Sequence, residues 1–377
     1  MIIKNGKVLD KSFHFVDADV LVKDGKIVKI GKVCTCGEEE VIDAAGKYVI
    51  PGLVDIHTHG CGGVDACNSN KEIIDTLSYT QGKAGITSFC PTTMTIPEEE
   101  LLATMKTIGD YKKAGNPAGA DVAGIYMEGP FIDEAKKGAQ RADCIKAPTV
   151  EFFDKMNEAS GNIIKVVTVA PEKEGALEFI SAVKDRVKVS IAHTSCDYDC
   201  AMDAIHAGAG HITHLYNAMA GLTHRAPGVV GAAANTNVVT ELICDGIHIH
   251  PAVIRLTFKV MEGRVNLISD SMEATGMPNG EYQLGGQKVF VKDKKATLAD
   301  GTIAGSSTNL MDCMRNVVKF GIPLPEAIKS ATLIPATEIG MQDKIGKIDI
   351  GNDADILVLD NNLEIDTIIM KGKVKTF

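Results

Sequence analysis

Near its start the chain alternates short apolar runs with polar positions. Val20-Leu21-Val22 and Ile27-Val28-Lys29-Ile30 flank Asp24-Gly25, and an Asp-Gly between two such runs marks a tight hairpin. The same style returns near the other end, in Ile356-Leu357-Val358-Leu359 and in Ile368-Ile369-Met370 before Lys371-Gly372-Lys373. Residues 1–48 and 343–377 are therefore expected to meet in one small β-sandwich domain built from both chain termini.

Over 49–342 the pattern becomes a repeat of apolar strand, polar loop and helical segment. Strands are placed ending near His57, Thr92, Glu128, Ala170, His193, His214, Asp245 and Asp270. Helix-like stretches intervene, among them Lys71 to Ala84, Glu98 to Ala114 and Ala176 to Val183. Strands that alternate with helices imply a parallel sheet, and eight such units predict an α/β fold closed into a (β/α)8 TIM-like barrel. One insertion, Glu281 to Asp300, reads instead as a hairpin expected to cover one mouth of that barrel.

Composition narrows the partners. The net charge of −10 over 377 residues argues against a nucleic-acid face, since phosphate backbones select basic surfaces. It leaves room for a small anionic substrate, because a few local cations dominate a pocket. The longest apolar stretches, such as Ile163 to Pro171, are strand-length, so no membrane partner is expected. Met1 to Gly6 lacks a secretory apolar region, and the ten scattered cysteines read as free thiols in a reducing cytoplasm. Cys34-x-Cys36 and Cys196-x3-Cys200 have no second pair at zinc-ribbon spacing and read as ordinary thiols.

The candidate chemistry sits where the strands end, and in a barrel all those ends face one mouth. Asp55-Ile56-His57-Thr58-His59 carries two histidines two apart, which share one face of a strand. Glu128 ends the third strand, and His193 and His214 end the fifth and sixth. Asp245-Gly246-Ile247-His248 follows the seventh and Asp270 the eighth. A lone strand-end histidine is usually a hydrogen-bonded packing residue and a lone aspartate usually a helix cap. Independent structural roles would not fill the same end of six strands with His, Glu and Asp, so the set reads as a metal or catalytic site. Nitrogen and carboxylate ligands suit zinc, iron or another divalent first-row metal without choosing among them. Such an ion activates water and polarises a carbonyl, and a strand-end aspartate can carry the proton. The residues thus point to metal-assisted hydrolysis of a C–N bond.

The same segments resemble the amidohydrolase superfamily and, within it, the N-acetylglucosamine-6-phosphate deacetylase family. The resemblance rests on Pro51-Gly52-Leu53-Val54-Asp55, His57-Thr58-His59, Met127-Glu128-Gly129-Pro130-Phe131 and Lys137-Gly138-Ala139-Gln140. It continues through His214-Leu215-Tyr216-Asn217-Ala218-Met219, Gly221-Leu222-Thr223-His224-Arg225, Asp245-Gly246-Ile247-His248 and Ile303-Ala304-Gly305-Ser306. What it implies is hydrolysis of N-acetylglucosamine 6-phosphate to glucosamine 6-phosphate and acetate, in amino-sugar catabolism and cell-wall sugar recycling. Glu128, His193 and His214 would hold the principal ion; His57 and His59 would hold a second, bridged by Glu128. Zinc or iron would lead, with manganese, cobalt or nickel also open, at one or two ions per subunit. Asp270 would be the general base and then the acid, and His248 would contact the acetyl carbonyl. Ala139, Gln140, Asn217, Ala218, Ile303, Ala304 and Gly305 would line the sugar-phosphate pocket. Arg225, beside His224, would reach the phosphate in a partner subunit, which makes a homodimer the working unit.

Some members of that family replace the first-strand histidines and keep one ion; retention of both here favours two. Some carry a histidine where this chain has Gln140, so an amide would serve the phosphate or hydroxyl contact. Strand four ends Thr168-Val169-Ala170-Pro171, without the lysine that hydantoinase-like and dihydroorotase-like relatives carboxylate. The Asp133-Glu134 to Lys136-Lys137 segment reads as a solvated loop, and His14, His206, His211 and His250 are left structural. A deaminase or isoaspartyl dipeptidase on the same metal face is the alternative reading, and a non-catalytic scaffold barrel a more distant one.

Overall fold

The computed structural model describes residues 1–34, 40–115 and 117–377; Cys36, half of one cysteine pair singled out above, lies outside them. The fold is mixed α/β. Its middle is carried by β1 (Leu53–Thr58), β2 (Ile86–Pro91), β3 (Ile125–Met127), β4 (Ile164–Val169), β5 (Lys188–Ile191), β6 (His211–Ile212), β7 (Val239–Ile243) and β8 (Val265–Ile268). Each ends within three residues of its predicted position. β3 to β8 lie side by side in one parallel sheet, and β1 pairs with β2 in parallel in another. Parallel bridges Thr92↔Tyr126 and Thr58↔Ser271 join the two pieces at both seams. The parallel sheet is therefore curled.

Local chemistry explains the helices. Asn70 accepts a hydrogen bond from the Glu72 amide at 3.0 Å and opens Lys71–Lys83, as an N-cap should. Glu98–Ala114 ends at Gly115, whose φ of 68° is the left-handed stop that glycine adopts freely. The insertion differs from expectation. Gly280–Leu284 and Gln287–Lys292 form the predicted hairpin, but Lys295–Thr297 pairs onto it as a third strand. The second turn is made by Asp293 and Lys294, both at positive φ, a turn without the Gly or Asn signal that sequence reading relies on.

The terminal segments share one eight-stranded sheet, in which Tyr48–Pro51 runs antiparallel to Ile356–Leu359 and parallel to Ile2–Leu9. Its unbroken apolar runs follow from burial on both faces. Val49, Ile356, Val358 and Ile369 enter a small core between the terminal strands, while Ile50, Leu357, Leu359 and Ile368 enter the main core. Alternate residues of the same strand thus serve two cores, as the period of two requires. A third cluster, with Val54, Ile56, Tyr126, Val166, Ile243 and Ile268, is closed by Ala336 of the helix Leu333–Glu338 and by Ile339 and Ile345.

Candidate metal centre

At the strand ends the backbone turns sharply, and three non-glycine residues take the left-handed conformation there. They are His193 (φ 44°), His214 (φ 27°) and Asp270 (φ 48°), directly after β5, β6 and β8. Such a conformation costs of order 1 kcal/mol or more per residue and persists where the surroundings impose it. Here it accompanies a set of buried side chains that converge.

Glu128 lies at the centre. Its Oε1 is 3.0 Å from His214 Nε2, 3.2 Å from His193 Nε2 and 3.6 Å from His57 Nε2. Its Oε2 is 3.3 Å from His59 Nε2. Asp270 Oδ1 faces the same space, 3.2 Å from His59 Nε2 and 3.5 Å from His57 Nε2. Ligand-competent atoms of His57, His59 and Glu128, and of Glu128, His193 and His214, lie within 4.8 Å of one another in each group.

The hydrogen bonds decide which ring nitrogen is free. His59 Nδ1 donates to Thr92 O (3.3 Å), His193 Nδ1 to Lys136 O (2.8 Å) and His214 Nδ1 to Asn217 O (3.2 Å). A carbonyl oxygen only accepts, so each Nδ1 carries the proton and, in the neutral ring, each Nε2 carries a lone pair. His57 Nδ1 is likewise tied, to Glu241 Oε2 at 2.9 Å. Yet His57 Nε2 faces His59 Nε2 at 3.3 Å, and His193 Nε2 faces His214 Nε2 at 3.2 Å. Lone pairs opposed at such distances repel unless a cation lies between them. The four imidazoles and the central Glu128 carboxylate fit divalent ions of the nitrogen- and oxygen-preferring kind.

Protons and a cation compete for these nitrogens: burial lowers His59, but its hydrogen bonds to Asp270 and Glu128 raise it to about 10. Burial pushes the Glu128 carboxyl up, but His193, His214 and His57 outweigh it and hold the group well below the usual carboxylate range. Burial also raises Asp270, and its hydrogen bond to His59 with the surrounding imidazoles brings it below its ordinary value. Behind the centre, burial raises the fully enclosed Asp55 to about 6, against its hydrogen bonds to Ser269.

A cavity of ≈ 590 Å³ opens onto the centre, within the range of small-ligand sites. Ala139, Gln140, Asn217, Ala218, His248, Ile303 and Gly305 line it. Ala304 is fully buried and does not face it. Gln140 is 2% exposed; its amide donates to Glu128 Oε2 at 2.7 Å, and its carbonyl oxygen accepts from the Thr95 amide at 2.6 Å. In this chain, therefore, Gln140 holds the Glu128 carboxylate as well as lining the cavity. His224 and Arg225 stand apart on an exposed loop, where Arg225 donates to His224 Nε2 at 2.8 Å.

A profile described as "Amidohydrolase family" matches residues 48–375. The chain belongs to the amidohydrolase family. An N-acetylglucosamine-6-phosphate deacetylase of Bacillus subtilis is 35% identical over 97% of this chain and 96% of its own. An N-acetylgalactosamine-6-phosphate deacetylase of Escherichia coli O157:H7 is 33% identical over 100% of this chain and 99% of its own. Among solved structures, a mutant N-acetyl-D-glucosamine-6-phosphate deacetylase of Mycobacterium smegmatis, in complex with N-acetyl-D-glucosamine-6-phosphate, superposes with a TM-score of 0.92. It is 28% identical, over 99% of this chain and 98% of that one.

Within this amidohydrolase frame, sequence reading missed several contributors. The Glu134 to Lys137 segment is solvated as expected at Glu134 and Ala135, but all four residues also line the cavity, and the Lys136 carbonyl holds His193. His211, set aside as structural, is fully buried between two carboxylates. Glu241 carried no signal, because a glutamate inside an apolar run has no motif of its own. Cys196 and Cys200, read as ordinary thiols, have their sulfurs and a Glu172 carboxylate oxygen within 4.8 Å of one another.

Proposed function

We propose that the chain hydrolyses N-acetylglucosamine 6-phosphate to glucosamine 6-phosphate and acetate, in amino-sugar catabolism and cell-wall sugar recycling. The observation that carries this is the convergence of four imidazoles, the Glu128 carboxylate and Asp270 at the floor of a sugar-sized cavity. Full-length relatives named for this reaction support it.

Glu128, His193 and His214 would hold one ion and His57, His59 and Glu128 a second, with zinc or iron the leading metals. Divalent ions there would lower the pKa of water and polarise the acetyl carbonyl. Asp270 accepts the water proton at its carboxylate and returns it to the departing nitrogen, so that water and amide become acetate and amine. His248 contacts the acetyl carbonyl through Nε2, its ring aimed by Asp245 Oδ2, which accepts from Nδ1 at 2.7 Å. Asn217, Ala218, Ala139 and the Ile303–Gly305 turn position the sugar, and Lys136 and Lys137 add positive charge to the cavity wall. Arg225 serves the phosphate of a partner chain in a homodimer, a reading supported by its exposure away from its own cavity.

The curled sheet is read as a (β/α)8 barrel over 49–342, with a β-sandwich formed by 1–48 and 343–377. No helix in the described residues is long and apolar enough to cross a membrane, and action in the cytoplasm on a small metabolite accords with the composition. The galactosamine relative, equally full-length, favours one second reading, the C4 epimer as substrate. Acetate release from both epimers and from unphosphorylated N-acetylglucosamine separates these. The phosphorylated glucosamine derivative is expected to have the highest kcat/KM. Equal values for phosphorylated and free sugar would refute the phosphate assignment.

A further inference from the structure

Three of the four ligand histidines lean on backbone carbonyls, but His57 leans on a carboxylate. Glu241, on β7 and fully buried, takes the His57 Nδ1–H on Oε2 at 2.9 Å. The same oxygen accepts the His214 backbone N–H at 3.2 Å. One atom thus fixes residues from β1 and from the turn after β6, one on each side of the ion pair proposed above. The carboxylate cannot rotate away, because Oε1 accepts from His211 Nε2 at 3.0 Å. His211 Nδ1 in turn donates to Glu338 Oε2 at 2.7 Å, on the helix that closes the sheet's far end, and Lys188 Nζ lies 3.4 Å from that oxygen.

We infer that Glu241, braced by His211 and Glu338, is a positioning residue for His57 and through it for the second ion. The inference rests on the two-ion reading. Its physical ground is that a buried carboxylate is a poor way to fill space, since apolar side chains of similar size pack there at no desolvation cost. A carboxylate behind a ligand histidine does what an apolar residue cannot. It fixes the tautomer, aims Nε2 and increases the ring's donor strength, with effects of about 10–100-fold on metal affinity. Placing it inside the sheet, behind a second histidine and a second carboxylate, makes its orientation independent of loop movement at the mouth.

The test compares the full-length parent with Glu241→Gln, His211→Asn and Glu338→Gln. Zinc per chain and zinc affinity are measured by competition with a chelator, and melting temperatures are taken with and without metal. Glu241→Gln should weaken one of two ions about 10–100-fold and leave the other unchanged, because an amide cannot accept from both His57 and His211. His211→Asn should weaken the same ion less, and Glu338→Gln less again. If Glu241→Gln does not fold, the His211→Asn affinity decides, since Glu241 is intact there. Lower metal-free melting temperatures with unchanged affinity across the series would show a merely structural network and overturn the inference. A parent that binds a single ion, unaffected by His57→Ala, would instead overturn the two-ion reading and this inference with it.

Discussion

Two buried polar clusters built from the same residue types lie in the middle of this molecule and behave in opposite ways. At the mouth, four histidines surround one glutamate, their Nδ1 protons already donated outward and their Nε2 atoms turned on one another. Deeper in the sheet, one histidine sits between two glutamates, and its nitrogens each meet a carboxylate oxygen. The inner histidine has both nitrogens satisfied, and Glu241 ties its cluster to His57 at the mouth. The mouth cluster is incomplete without a cation, and its cavity without a substrate. Histidine and glutamate content therefore does not make a metal site; what makes one is which nitrogen the surrounding acceptors leave free.

The largest expected effect tests the mouth. Asp270→Asn should lose about 10²–10⁴-fold in turnover, since an amide neither accepts nor returns a proton. Metal content should be unchanged, because the four imidazoles and Glu128 remain. A variant that keeps more than about a tenth of parental kcat would remove Asp270 from the proton path.

The next test concerns the inner cluster, which should answer to pH. Burial lowers His211, but hydrogen bonds to Glu241 and Glu338 more than reverse this and raise it to about 9. A histidine raised in the folded state contributes stability that is complete below its unfolded value near ~6.5 and is lost as pH rises through the folded one. That contribution is on the order of 3 kcal/mol for a shift of this size. Urea unfolding between pH 6 and 10 should show an alkaline decline in the parent that is flatter in His211→Asn. An equally steep decline in both chains would place the titration elsewhere.

The smallest effect sharpens the contrast at the rim. Arg225 is exposed, and a guanidinium–phosphate contact made only across a dimer would complete the mouth from outside. Arg225→Ala and Asp270→Asn chains, mixed and allowed to exchange, should recover about a quarter of parental activity, since random pairing makes about half the dimers hybrids with one intact site each. No recovery after proven exchange would show that Arg225 does not act in trans.

Much of this was legible along the chain. The change from period two to strand–helix repeats located all eight central strands to within three residues, because periodicity reports which face of an element is buried. The polar residues that end those strands named the mouth cluster, since one parallel sheet must deliver its strand ends to one side. The third strand of the insertion was not legible, as Asp293 and Lys294 make a left-handed turn that their side chains do not advertise.

What tertiary structure alone decided was pairing. His57 and Glu241 are 184 residues apart, and His211 and Glu338 are 127 apart. His211 and Glu241 lie on strands, but a strand's period tells which way a residue faces and not what it meets there. The free nitrogen of each histidine depends on an acceptor supplied by another element: Thr92, Lys136, Asn217 or Glu241. Gln140, expected in the sugar-phosphate pocket, lines the cavity, and its contact with Glu128 depends on the fold for the same reason. Only once the sheet has curled do those acceptors reach the rings. At that point a set of metal-competent side chains becomes a centre with a defined direction.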